Sequence, residues 1–233
     1  MAKSAMKNIL LTGFEPFGGL TDNPSDRIAH ALDGTVTGQH RIVARTLPVT
    51  YRDAPARFEQ LMLEFKPELV ISLGLAGGET GIRLERQAIN YVDFRIADNA
   101  AEIIQGCIRE DGPKSYQSNL PLELILATLH LNNIPARLSD SAGTFVCNAL
   151  MYSALNLCNR LYTRPGQFIP CGFIHLPYLP EQVAALQNAK RNSNTSVDLD
   201  GTSDGSLHSM SLTMQIKAVQ LSIKISIENL PLS

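Results

Sequence analysis

The chain's pattern predicts an α/β fold: a single-domain, three-layer α/β/α sandwich around a mostly parallel mixed sheet, spanning residues 1–233. Three observations predict it. Short apolar runs such as Lys7 to Thr12 and Leu69 to Leu73 each close on a glycine, as buried strands do. Stretches with apolar residues at helical spacing lie between such runs. Strand, helix and strand alternate at lengths suited to crossover connections, which place helices on both faces of a parallel sheet.

Taken in order, Lys7 to Thr12 is a strand, and Gly13-Phe-Glu-Pro-Phe-Gly-Gly19 is a loop. Asn23-Pro24-Ser25 opens a helix through about Leu32, with Pro24 in its first turn, where a missing N–H costs nothing. His40 to Leu47 alternates as a strand, and Pro48 ends it. From Tyr51 to Phe65, the stripe Ala54, Phe58, Leu61, Met62 and Phe65 marks a helix. Gly81 to Arg95 reads as extended, and 97–119 as irregular, with room for an insertion or a hairpin. Helices are expected at Pro121 to Asn132, Phe145 to Leu161 and Ser209 to Glu228, with strands at Ala136 to Ser139 and Phe168 to Leu176. The polar stretch Asn188 to Ser206 reads as a flexible loop.

Composition removes several function classes. The 233 residues are 44% hydrophobic and 18% charged, which suits a packed core and not a disordered chain. A net charge of −2 and the lack of a basic, aromatic-interleaved block give no reason to expect nucleic acid as a partner. No run is long enough to span a bilayer, and Ile9-Leu10-Leu11 is too short for a signal peptide, so no membrane is expected and the reading is cytoplasmic. The cysteines at 107, 147, 158 and 171 form no C-x-x-C pair. Cys171 and His175 are spaced like two zinc ligands, but a second close pair is missing, so neither metal nor cofactor is expected.

The chemistry concentrates on Cys147, in Ser141-Ala-Gly-Thr-Phe-Val-Cys147-Asn148. With Thr144 as N-cap, Cys147 would be the third helical residue, where free N–H groups and the helix dipole favour a thiolate. A lone cysteine is more often a small buried hydrophobe, so this segment does not decide by itself. His175 closes an apolar strand, and the carboxyl ends of strands are where sites collect in open α/β sheets. Paired with Cys147 it becomes a general base or ion-pair partner, and later an acid for a leaving amine. Glu85 is a candidate to orient the imidazole, although spacing does not separate it from Glu79 or Asp93. The glycine-rich loops 13–19 and 74–81 match no phosphate-binding pattern, and Phe14 and Phe17 around Pro16 suit an apolar ligand wall.

Six motifs then occur in order: Thr12-Gly-Phe-Glu-Pro-Phe-Gly18, Asn23-Pro-Ser25, Gly74-x-Ala-Gly-Gly78, Glu85-Arg-x-Ala-Ile-Asn90, Ser141-Ala-Gly-x-Phe-Val-Cys147-Asn148 and His175-x-Pro177. From about residue 8 to 185 the chain resembles the pyroglutamyl peptidase I (pyrrolidone carboxyl peptidase) family of C15-type cysteine peptidases. The resemblance implies removal of an N-terminal pyroglutamyl (5-oxoprolyl) residue from peptides, with Cys147, His175 and Glu85 as the triad. It also implies Phe14, Phe17, Asn23, Phe145 and Val146 as the pocket for the lactam ring, and Arg95 and Ile96 near the site. A cytosolic homo-oligomer, commonly a tetramer, is implied as well. The family commonly has glutamine where this chain has Leu75, so hydrolysis of a related lactam or amide stays open. So does a non-catalytic small-molecule binding protein on the same fold.

Overall fold

The computed structural model describes residues 6–161, 168–192 and 207–230. In chain order the elements are β1 (Lys7–Phe14), α1 (Pro24–Leu32), β2 (Val36–Thr37), β3 (His40–Leu47), α2 (Asp53–Phe65), β4 (Leu69–Leu75), β5 (Ile82–Glu85), β6 (Gln87–Ile89), β7 (Val92–Asp93), β8 (Gln105–Gly106), β9 (Ser115–Gln117), α3 (Leu122–Leu131), β10 (Ala136–Ser139), α4 (Val146–Leu161), β11 (Cys171–Leu176), α5 (Pro180–Asn192) and α6 (Leu212–Glu228). Seven strands form one sheet in the order β10-β5-β11-β4-β1-β3-β2. β11, β4, β1 and β3 run parallel, whereas β5 pairs antiparallel with β11 and parallel with β10, and β2 pairs antiparallel with β3. The expected mostly parallel mixed sheet is what forms.

Alternation along the strands sorts the core into two layers. Leu10, Phe14, Val70, Cys171 and Phe173 face one side, packed with Phe58, Leu61 and Met62 of α2 and with Val146, Leu150 and Leu155 of α4. Ile9, Leu11, Leu69, Ile71, Leu73, Ile82, Leu84 and Ile174 face the other, against Ile28 of α1, Ile125 and Leu129 of α3, and Val219 and Ile223 of α6. Helices thus cover both faces, and the central strands are apolar on both, as buried parallel strands must be.

The irregular stretch resolves into two antiparallel ribbons. β6 pairs with β9, and β7 with β8, so 97–119 returns along the extended segment that precedes it. Beyond Pro180 the structure departs from expectation: α5 continues through Asn192, into the segment read as a loop. Residues 193–206 of that segment lie outside the described residues. The last helix opens at Leu212 instead of Ser209, because Ser211 caps it by accepting from the Met214 N–H, and Ser209 bridges to Tyr178.

Asn148 locks the ribbons onto α4. Fully buried, it accepts from the Ile89 N–H at 2.9 Å and donates to the Ile89 and Tyr91 carbonyls, each at 2.9 Å. Replacing it with alanine strands three part-buried backbone groups. Asn148→Ala is expected to lower unfolding free energy by about 3 kcal/mol in urea denaturation.

Candidate functional site

The site forms where β1 and β4 part company. Their ladder ends at the Thr12–Ser72 pair, whose hydroxyls lie 2.9 Å apart, while β1 stays paired with β3 as far as Phe14. β4 continues beside β11, with His175 in register with Gly74 and Leu176 with Leu75. A crevice at the carboxyl ends of neighbouring strands that connect to opposite sides is where ligands bind in such sheets. Helix α1 closes one side. Asn23 caps it, accepting from the Ser25 N–H and hydroxyl, and the Ser25 hydroxyl accepts from the Phe14 N–H at 2.9 Å. This tight approach requires Gly13, since a side chain there would run into the Ser25 carbonyl at 2.3 Å.

Gly74 makes the corresponding room at the centre. A Cβ on it would lie 2.8 Å from the Phe173 ring and 2.9 Å from the Cys147 sulfur. In a parallel pair, in-register residues point their side chains to the same face, so that space adjoins the His175 imidazole. The Phe173 ring stands 4.8 Å from the imidazole, centroid to centroid, on that same face. The thiol therefore lies at the gap that Gly74 leaves, on the face of the sheet that carries His175.

Glu85 comes from the reversed strand. In the antiparallel β5–β11 pair, Arg83 lies opposite His175 and Glu85 opposite Phe173, so Glu85 is the diagonal neighbour of the imidazole. Its side chain is fully buried, with Oε1 2.7 Å from His175 Nδ1. Burial pushes the Glu85 carboxyl up, but the bond to His175, its charge and that of Arg83 together hold it below its ordinary value. A carboxylate can only accept, so Nδ1 carries a proton toward it, and in the neutral ring Nε2 then presents the lone pair. The other two acids left open by spacing have different work. Glu79 is paired with Arg83 and Arg137, each at 2.9 Å. Asp93 exchanges backbone bonds with Thr144, its N–H donating to the Thr144 carbonyl and its carbonyl accepting from the Thr144 hydroxyl.

That last contact corrects the expected cap. Thr144 spends its hydroxyl on Asp93, helix α4 opens at Val146, and Cys147 is its second residue and not its third. The expected depression of the thiol also fails. Burial and the nearby Glu85 charge push the Cys147 thiol up to about 12, against smaller opposing effects of Arg83 and the helix-start N–H. The helix start alone does not make it a thiolate. Cys107 is exposed, and Cys158 and Cys171 are buried away from the crevice in the core.

An apolar cavity adjoins the thiol, lined by Phe14, Phe17, Asn23, Val49, Leu75, Phe145, Val146 and Cys147. Phe17 and Phe145 lie 6.0 Å apart at 33°, and Phe94 backs Phe145 at 4.4 Å. Asn23 Nδ2 donates to the Glu15 carbonyl at 2.9 Å. Six of the residues named from sequence meet here with Cys147. Arg95 and Ile96 do not line the cavity: they are exposed, one and two residues beyond Phe94. Sequence reasoning misses Val49, Phe94 and Arg83. The one available signal is Arg83 lying two residues from Glu85 in a strand, which puts both on one face. Among the described residues no group of three or more His, Cys, Asp or Glu gathers as a metal site, and no helix is long and apolar enough to cross a membrane.

A thiol, an imidazole and a buried carboxylate at the crevice of an α/β sheet have the makings of a cysteine hydrolase. Comparison with known proteins supplies the family. The chain belongs to the pyroglutamyl peptidase family, whose model matches residues 7–229. It is 39% identical over 226 residues to the pyrrolidone-carboxylate peptidase of Thermococcus litoralis, covering 97% of this chain and 95% of that one. With the enzyme of the same name from Cupriavidus pinatubonensis it shares 45% over 180 residues, 77% of this chain and 82% of that one. The crystal structure of pyrrolidone carboxyl peptidase from Pyrococcus furiosus superposes with a TM-score of 0.83 at 37% identity, covering 96% of this chain and 99% of that one.

Two measurements probe the site. Gly74→Ala forces the thiol or the Phe173 ring aside, with an expected stability loss of about 1–3 kcal/mol and a loss of turnover of about 10²-fold from the misplaced nucleophile. In a Cys107→Ser background, alkylation of Cys147 by iodoacetamide should rise about tenfold per pH unit from pH 7 to 9, following the thiolate fraction. A rate flat over that range would mean a preformed thiolate–imidazolium pair.

Proposed function

We propose that the chain is a single-unit cysteine exopeptidase that removes an N-terminal pyroglutamyl residue from peptides, with Cys147 as nucleophile, His175 as proton carrier and Glu85 as orienter. The observation that carries this reading is the apolar cavity between Phe14, Phe17 and Phe145, which opens on the Cys147 thiol. A 5-oxoproline ring has no charged amine, so an apolar slot with a few fixed polar groups suits it.

Strand geometry supplies those polar groups. The Val70 N–H donates to Pro170 and the Ala76 N–H to Leu176, so even-numbered residues of β4 bond to β11 and odd-numbered ones turn toward β1. The β1 ladder ends at Ser72, so Leu75 offers both its N–H and its C=O to the crevice. That donor–acceptor pair matches the C=O and N–H of a lactam. The contact uses backbone alone, so leucine serves where a glutamine is common.

In the reaction the Cys147 sulfur attacks the carbonyl carbon attached to the ring, and its proton passes to His175 Nε2. Unpaired N–H groups in the first turn of α4 hold the resulting oxyanion. Collapse breaks the C–N bond, the imidazolium protonates the departing amine, and a thioester remains. Water, giving its proton to His175, then attacks the thioester, and pyroglutamate leaves as the thiol is restored. Glu85 fixes the imidazole tautomer throughout and steadies the imidazolium.

Hydrolysis of a pyroglutamyl amide tests this. Cys147→Ala should abolish turnover, and Glu85→Gln should cut kcat by about 10²–10⁴-fold. A prolyl amide, which lacks the ring carbonyl, would leave the Leu75 N–H unpaired and should be rejected on the order of 10⁴-fold in kcat/KM. Full activity in Cys147→Ala, or equal rates on both amides, would overturn the reading. The family resemblance also supports a cytoplasmic tetramer, and light scattering should then give about four times the 25.5 kDa chain mass.

A further inference from the structure

The Glu85 carboxylate has a second partner that the reaction does not use directly. Arg83 Nε donates to Glu85 Oε1 at 2.8 Å, the same oxygen that faces His175 Nδ1. Its Nη1 donates to Glu79 Oε1 at 2.9 Å, and its Nη2 to the Ser141 carbonyl at 2.7 Å. The three branches of one guanidinium thus reach the orienting carboxylate, the loop after β4, and the loop that leads into Cys147. The Ser141 carbonyl also accepts from the Ser139 hydroxyl, so the loop is held from two sides.

We propose that Arg83 is a positioning residue, a clamp that holds Glu85 and the Ser139–Phe145 loop in fixed relation so that imidazole and thiol meet in register. This rests on the peptidase reading of the same site. A guanidinium is suited to the task because its planar fork serves three acceptors at once, which an ammonium on a single point does not. The side chain is only 16% exposed, so the interaction is partly shielded from water. Burial opposes its charge, and Glu85 and Glu79 outweigh that to hold Arg83 above its ordinary value.

The clamp is also an electrostatic setting. Around the Glu85–His175 pair stand Arg83 on β5, Glu79 on the β4–β5 loop, Arg137 on β10 behind Glu79, and the Cys147 thiol on α4. Arg86 and Asp140 pair with each other at 3.0 Å on the exposed side. Glu79 shares its charge between Arg83 and Arg137, so it tempers what Arg83 imposes on the pair. Removing the Arg83 cation raises the titration of every acid and base beside it, while removing the Glu79 anion lowers it.

The experiment compares wild type, Arg83→Met, Arg83→Lys and Glu79→Gln, each checked for thermal unfolding. The pH profile of kcat/KM on a pyroglutamyl amide is read alongside the NMR titration of the His175 ring without substrate. Arg83→Met should lower kcat about 10–100-fold with KM within about threefold, and raise both the acid limb and the His175 midpoint by about one pH unit. Glu79→Gln should move both midpoints down. Arg83→Lys should bring the midpoints back to wild type but restore kcat only in part, because one ammonium cannot serve three acceptors. Midpoints that coincide in Arg83→Met, Glu79→Gln and wild type, all folded, would overturn the proposal. So would full recovery of kcat by lysine. The ring titration needs no substrate, so a chain that left pyroglutamyl amides intact would sink the peptidase reading while the His175 midpoints still tested the clamp.

Discussion

A side chain at position 74 would occupy the space that the Cys147 sulfur and the Phe173 ring now share, and much of the site follows from that vacancy. Gly74 sits mid-sheet, where glycine weakens a strand because it loses the most freedom on folding and packs nothing. What it yields is a thiol from a helix above the sheet lowered to the level of the strand beside it. His175 is already there, fixed by register with Gly74. Thiol and imidazole therefore ride on regular elements, α4 and β11, whose relative placement is set by core packing. The same principle acts at Gly13, where the absence of a side chain lets α1 close on β1 and bring Asn23 to the crevice. Two missing side chains fix the two walls.

Charge is distributed across the site in a way that matters for chemistry. Glu85 keeps its charge in a fully buried place because His175 and Arg83 outweigh the cost of burial. At Cys147 burial works against the thiolate, and the Glu85 charge adds to that. The histidine thus has an anion on one side and a thiol on the other. In the proposed reaction the proton would stay on sulfur until attack, and the imidazolium would form where Glu85 is placed to steady it.

Much of this is legible in the sequence, for identifiable reasons. Apolar runs in Lys7 to Thr12, Leu69 to Leu73 and Phe168 to Leu176 encode strands buried on both faces, and the sheet contains them. Glycines and phenylalanines near the strand ends announce a close-packed, apolar pocket. Strand direction is less accessible. Nothing local in Ile82–Glu85 says that it runs against β11; the chain reverses in residues 76–81, between β4, which is parallel to β11, and β5, which is antiparallel to it. Without the reversal, Glu85 cannot be told from Glu79 or Asp93, since each needs a cross-strand neighbour to define its role. The protonation of the thiol is hidden because a helix start is a local feature, visible in sequence, whereas burial and the Glu85 field come from residues far away in the chain. Thr144 misleads for a related reason: a good capping residue is claimed by a distant carbonyl.

Leu75 shows how backbone geometry can free a position from side-chain requirements. The strand turns its N–H and C=O toward the crevice because of where residue 75 falls in the β4–β11 ladder, and any residue except proline would present the same pair. The leucine side chain is then available for packing, and it joins Tyr178 and Val183 in a small apolar cluster with Phe17, one wall of the cavity. A polar side chain at this point would leave that cluster a gap to fill or an unpaired group to hide. The substitution therefore transfers residue 75 from the polar to the apolar side of the pocket's construction. In the proposed reading, recognition of a ring amide falls to backbone groups that substitution cannot alter.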